Sequence, residues 1–145
     1  MKALLFCLFV FLMGLFQAQA NDCKLPESFM GMTILFNISD RYTPHNEMAG
    51  MLLQSKFDNL TYDIEVLDTG ERFSGKYQYQ RIKSKIARFT VAEGTGDSLI
   101  QYSKTLVCQT DKMGFVLFKL LQGSTPLTPA HDIGIYVIQS SLKAE

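Results

Sequence analysis

The chain has 145 residues, 47% of them hydrophobic, with 14 basic residues set against 14 acidic ones. A neutral balance gives no electrostatic drive toward nucleic acid or an anionic membrane, so neither is expected as a partner. The length supports one domain with a real core.

Lys2 opens the chain as a short positive region. An apolar run over 3–16 follows, broken only by Gly14, and Ala18-Gln19-Ala20 has a small-x-small pattern. Together they read as a secretory signal peptide over 1–20, leaving a single β-barrel domain over 21–145. The product is expected to be exported, periplasmic or secreted, with no membrane insertion after cleavage. Asn21 and Asp22 separate Cys23 from the small residues, so a lipid anchor is not expected. Cys7 leaves with the leader. Cys23 and Cys108 remain, and two cysteines in an exported chain are expected to form one disulfide, with a free or intermolecular thiol pair as the alternative. The bond would close a loop of about 85 residues and tie the mature N-terminus to a strand.

The span 29–38 alternates, with Met30, Met32, Ile34, Phe36 and Ile38 on one face, and reads as a strand. The span 39–47 is a polar loop. Residues 48–57 carry both a helical and a strand pattern, and Gly50 tips the reading to strand. In 59–67, Leu60, Tyr62, Ile64 and Val66 share one side, and Asp68-Thr69-Gly70-Glu71 is a turn.

From 73 to 118 four alternating runs follow one another through short polar connections, the pattern of a β-meander. Tyr77 and Tyr79 share a face in 75–82. Ala87, Phe89 and Val91 share one in 85–92, followed by the glycine-rich turn 93–97. In 98–108 the face is Ile100, Tyr102, Leu106 and Cys108, with Lys104 as its one exception. The run 114–121 is almost wholly apolar. The span 122–132 is a loop with Pro126 and Pro129, and 133–140 closes the chain, with Ile133, Ile135 and Val137 opposite Tyr136 and Ile138. The fold class is therefore all-β, with about eight strands and no helix of note. A single antiparallel meander of this length closes into a barrel, because closure removes the exposed edges. A two-sheet sandwich is the alternative.

Gly75-x-Tyr77-x-Tyr79, Ala87-x-Phe89, Tyr102 with Leu106, and Gly114-Phe115 follow one another in this order. This arrangement resembles small bacterial lipocalin-like barrels of calycin type, including MoaF-type domains, over roughly 26–138. Gly31, after Leu25-Pro26, is similar to the glycine near the start of the first strand in such barrels. The chain departs from the pattern in having no tryptophan, so the Gly-x-Trp signature of lipocalins reads Gly31-Met32-Thr33. Cys108 stands where an aromatic would be preferred. The resemblance implies an eight-stranded barrel with an apolar pocket. It carries no catalytic residue and no named ligand.

Met30 and Met32, as soft gap-fillers, and the aromatic set Tyr77, Tyr79, Phe89 and Tyr102 are the candidate ligand-binding residues. Ordinary core packing is the competing role for each. His45 and His131 match no zinc spacing, and no metal or cofactor is expected. There is no Gly-x-Ser-x-Gly elbow, and bonded cysteines supply no nucleophile, so no catalytic residue is assigned and enzymatic activity is not expected. Lys76, Arg81, Lys83, Lys85 and Arg88 form a basic cluster, read as a solvated outer face. Asn37-Ile38-Ser39 and Asn59-Leu60-Thr61 have the form of glycosylation acceptors. The leading expectation is an exported non-enzymatic barrel that binds a small apolar or amphipathic ligand in its interior. The alternative is an exported protein-interaction module, an inhibitor or envelope-associated factor, acting on a protein partner through its loops or its basic face.

Overall fold

A computed structural model describes residues 22–41, 48–123 and 131–139. The expected signal peptide, His45, the two loop prolines and the end of the chain lie outside the described residues.

Eight strands follow in order: β1 (Thr33–Ile38), β2 (Leu52–Phe57), β3 (Thr61–Val66), β4 (Arg72–Lys83), β5 (Ile86–Glu93), β6 (Ile100–Thr110), β7 (Met113–Gln122) and β8 (His131–Gln139). Each pairs with the next, and β1 pairs with β8, from Thr33 opposite Gln139 to Ile38 opposite Gly134. The sheet is thus a closed antiparallel meander barrel, and no sandwich forms. Only a short 3₁₀ turn, Gly96–Ser98, interrupts the strands among the described residues.

Period-two alternation puts one face of every strand inside. Ile34 and Phe36, Leu53 and Phe57, Tyr62 and Ile64, Ala87, Phe89 and Val91, Leu106 and Tyr136 are buried there. The outer wall is mostly polar, except along β7 and β8.

Strand direction alternates, so the ends of β1, β3, β5 and β7 and the starts of β2, β4, β6 and β8 gather at one end, here called the loop end. The opposite end is closed by the arm that precedes β1. Its Leu25 and Phe29 have no exposed surface. The Phe29 ring packs 5.1 Å from both Tyr79 and Phe89 and 6.0 Å from Phe57. Polar contacts fasten the arm to the wall. The Leu25 amide donates to the Ser84 carbonyl at 2.9 Å, the Tyr79 hydroxyl to the Pro26 carbonyl at 2.6 Å, and the Lys24 amide to Asp111 at 2.8 Å. Cys23 and Cys108 add a covalent tie, their sulfurs 2.09 Å apart.

The first strand starts later than its alternation suggests. A turn holds residues 29–32, closed by the Met32 amide donating to the Phe29 carbonyl at 2.9 Å. Gly31 sits in it at φ +74°, a conformation that favours glycine. The turn breaks the parity, so Met30 is 58% exposed instead of sharing the inner face. Met48–Phe57 likewise resolves into a turn and then β2, with Gly50 at φ +79°.

Candidate functional site

The aromatic plug fills only part of the barrel. Between it and the loop end lies a cavity of about 240 Å³. Its walls are apolar: Phe36 and Ile38 from β1, Leu53 from β2, Ile64 from β3, Ile100 and Tyr102 from β6, Val116 and Phe118 from β7, with Met48 and Phe73 nearer the loop end. Gly134 borders it from β8. A Cβ there would lie 2.3 Å from the Asn37 carbonyl oxygen, so the residue's smallness lets β8 approach β1 closely.

Polar groups are few and placed apart. Lys104 projects inward from the middle of β6. Its cross-strand neighbours are Phe89 of the plug and Phe118 of the cavity wall, which sets it at the cavity floor. Its Nζ lies 4.5 Å from the centre of the Phe36 ring and 5.5 Å from that of Tyr102. A cation over aromatic faces is held by their quadrupoles. Among the described residues no carboxylate stands within ion-pair distance of it. Burial away from water pushes its pKa down to about 8, and the more distant Glu93 charge restores it only in part.

Glu93, the last residue of β5, turns its carboxylate into the barrel. Tyr102 donates to its Oε1 at 2.7 Å, and Tyr62 donates to the same oxygen. The two hydroxyls are themselves 3.0 Å apart. Burial first, and then the Glu93 charge, raises the Tyr62 pKa. Burial, followed by Tyr62 and Glu93, holds Tyr102 well above the ordinary phenol range. Both phenols therefore stay protonated and act as donors to Glu93. Asp132 also borders the cavity, and its carboxylate accepts the Ile133 amide at 2.7 Å.

The structure distributes the six expected ligand residues over different places. Tyr102 borders the cavity. Tyr77, Tyr79 and Phe89 pack with Phe57 and Phe29 in the plug, with ring centres 4.9–5.7 Å apart along the chain of contacts. Met32 is half-buried beside the arm, and Met30 faces solvent. Lys104 and Glu93 carry the polar chemistry of the cavity, and composition did not single them out. Each is nonetheless in step with its strand: 104 lies between 102 and 106, and 93 continues 87, 89 and 91.

The basic cluster is partly neutralised. Arg81 pairs with Glu27 of the arm, and Lys85 pairs with Asp22 at 3.0 Å. Among the described residues no three His, Cys, Asp or Glu side chains gather to hold a metal ion.

Compared with known proteins, the chain matches no family model, no curated protein and no solved structure. Its reading rests on the barrel and its cavity.

Proposed function

We propose that this protein is an exported, non-enzymatic barrel that binds one small apolar or amphipathic molecule in its interior. The observation that carries the reading is the apolar cavity of about 240 Å³ above a sealed floor. Ligand pockets are concave, mostly apolar and oriented by a few polar groups, and this cavity has that make-up at a volume just below the usual range of about 300–1,000 Å³. Assignment to calycin-type, MoaF-like barrels belongs to the same proposal. It is supported by the meander and by the order of Gly75, Tyr77, Tyr79, Phe89 and Tyr102 along it. Export is supported by the Cys23–Cys108 pair, since such bonds persist in oxidising compartments. Native mass spectrometry of protein purified from its source tests the reading. A retained small molecule, or saturable uptake of a fluorescent apolar probe, is the expected result. A protein that is always empty and takes up no probe overturns it.

A second reading, a protein-interaction module, has one observation in its favour. Met113, Phe115 and Leu117 on β7 face outward opposite Val137, Ile135 and Ile133 on β8, each 38–51% exposed. A contiguous apolar strip on an otherwise polar wall marks a contact surface. Asp111 lies four residues before Phe115 and Lys119 four residues after it, both exposed. A two-fold axis at Phe115 would set the acid of one copy against the amine of the other, so the strip suits a second copy of this chain. Sedimentation velocity with Leu117→Lys tests this: the parent should self-associate and the variant should not. A monomeric parent at high concentration removes this reading.

A further inference from the structure

Resting on the interior-ligand reading, we propose that the bound molecule is a carboxylate-headed amphiphile of about eight carbons in all. It enters head first, with its carboxylate at Lys104 and its tail toward the loop end.

Charge is the first argument. Among the described residues that border the cavity, Lys104 is the one lysine or arginine. Lys104 keeps part of its surface open to the cavity, but a charge drawn this far from bulk water is ordinarily paired, because an unpaired one forfeits hydration with no return. Lys104 has aromatic faces on two sides and, among the described residues, no acid at ion-pair distance. Glu93, whose charge Lys104 senses, already accepts two tyrosine hydroxyls on one oxygen. The arrangement therefore supplies a cation that the described side chains leave without a carboxylate partner. With its pKa at about 8, the amine is still mainly charged at neutral pH.

Position gives the orientation. Phe89, beside Lys104 on the neighbouring strand, belongs to the plug, so nothing deeper is open to a tail. On the other side Ile38, Met48, Ile64 and Ile100 offer hydrocarbon walls. A head at the floor and a tail above it satisfies both surfaces. The reverse pose would bury a methyl end against an ammonium and bring the head toward Asp132.

Size gives the length. At about 30 Å³ per water, the 240 Å³ cavity holds on the order of eight water volumes, room for a chain of about that many carbons. Octanoate fits that limit, and much longer chains must leave their ends in the loop region.

The test compares octanoate with 1-octanol, which shares the tail and lacks the charge, by calorimetry on the disulfide-intact protein and on Lys104→Met. Octanoate should bind the parent at least about tenfold more tightly, the worth of a hydrogen bond to a charged group. Lys104→Met should lose that preference and keep octanol. The variant removes a buried charge, so it should fold, which circular dichroism would confirm. A pH series adds an independent arm. The titratable groups that border the cavity with Lys104 are Glu93 on β5, Tyr102 on β6 and Asp132 on β8, and Tyr62 on β3 hydrogen-bonds to the first two. The phenols, raised above 10, stay neutral across pH 7–9, and the amine titrates in that interval. Octanoate affinity should fall over that interval and octanol affinity should not. If octanol binds the parent as tightly as octanoate, the head-group assignment is wrong and the interior-ligand reading stands. If neither ligand binds, and no apolar probe does, the reading beneath it has failed as well.

Discussion

The ammonium of Lys104 on β6 and the ring of Phe36 on β1 meet across the barrel, 4.5 Å apart, although β7 and β8 separate their strands around the wall. The contact bridges the interior and holds the amine against an aromatic face. Replacing the ring with an aliphatic side chain withdraws that support from the charged form only. A cation–π contact out of water is worth about 1–2 kcal/mol. In Phe36→Leu the Lys104 pKa should therefore drop by about one unit further, as followed by NMR titration of the lysine side chain. An unchanged value would mean that burial alone sets it.

Lys104 also shapes stability as a function of pH. Its folded pKa of about 8 lies below the ordinary value of 10.5, so the unfolded chain binds the extra proton between those two limits. The cost of the buried charge is complete below pH 8, shrinks as pH rises, and is gone above 10.5. The tyrosines act in the opposite direction. Tyr62, Tyr77, Tyr102 and Tyr136 are raised above 10, and Tyr79 is pushed up to about 12, each chiefly by burial. Their contribution is intact below pH 10 and is lost above it. Urea unfolding with the disulfide intact should show stability rising from pH 8 toward 10 and falling beyond. Lys104→Met should abolish the rise, keep the fall, and gain up to about 3 kcal/mol at pH 7.

The Glu93 charge pushes the pKa values of three neighbours, two phenols and an amine, in the same upward direction. It disfavours ionisation of Tyr62 and Tyr102 and favours the protonated form of Lys104. Glu93→Gln keeps an acceptor oxygen for the hydroxyls and removes the charge. Spectrophotometric titration of the tyrosines and NMR titration of Lys104 should both shift downward. Movement of the tyrosines alone would show that the amine does not sense Glu93.

The tie between Cys23 and Cys108 spans 85 residues. In the chain-entropy account a loop of that length is worth roughly 4–5 kcal/mol. The double variant Cys23→Ser, Cys108→Ser should lose stability of that order in urea and should free the arm. Hydrogen exchange at the Leu25 amide, protected by Ser84 in the parent, would report the release.

The meander was legible in the sequence because one buried face per strand imposes a period of two, and short turns leave little choice of partner. That period also contained Lys104 and Glu93, each in step with apolar neighbours that face inward. It could not show that no carboxylate among the described residues reaches Lys104, which depends on the register of β5 against β6 and on Phe36 reaching across from β1. It failed at Met30, where a glycine in the left-handed region let a turn interrupt the alternation. In β8 both faces are apolar. Parity separates Ile133, Ile135 and Val137 from Tyr136 and Ile138, but only pairing with β7 shows which set lies inside. The six ligand candidates were chosen by residue type, and burial then divided them between plug, arm and cavity wall.

The pairing of β1 with β8 has a topological consequence. Thr33 stands opposite Gln139, so the first and last strands are neighbours like any other two. The barrel is a ring whose starting point is a matter of bookkeeping by the ribosome. A short linker joining the ends and a new opening at Gly70, in the exposed β3–β4 turn, would give a circularly permuted chain with the same neighbours on every strand.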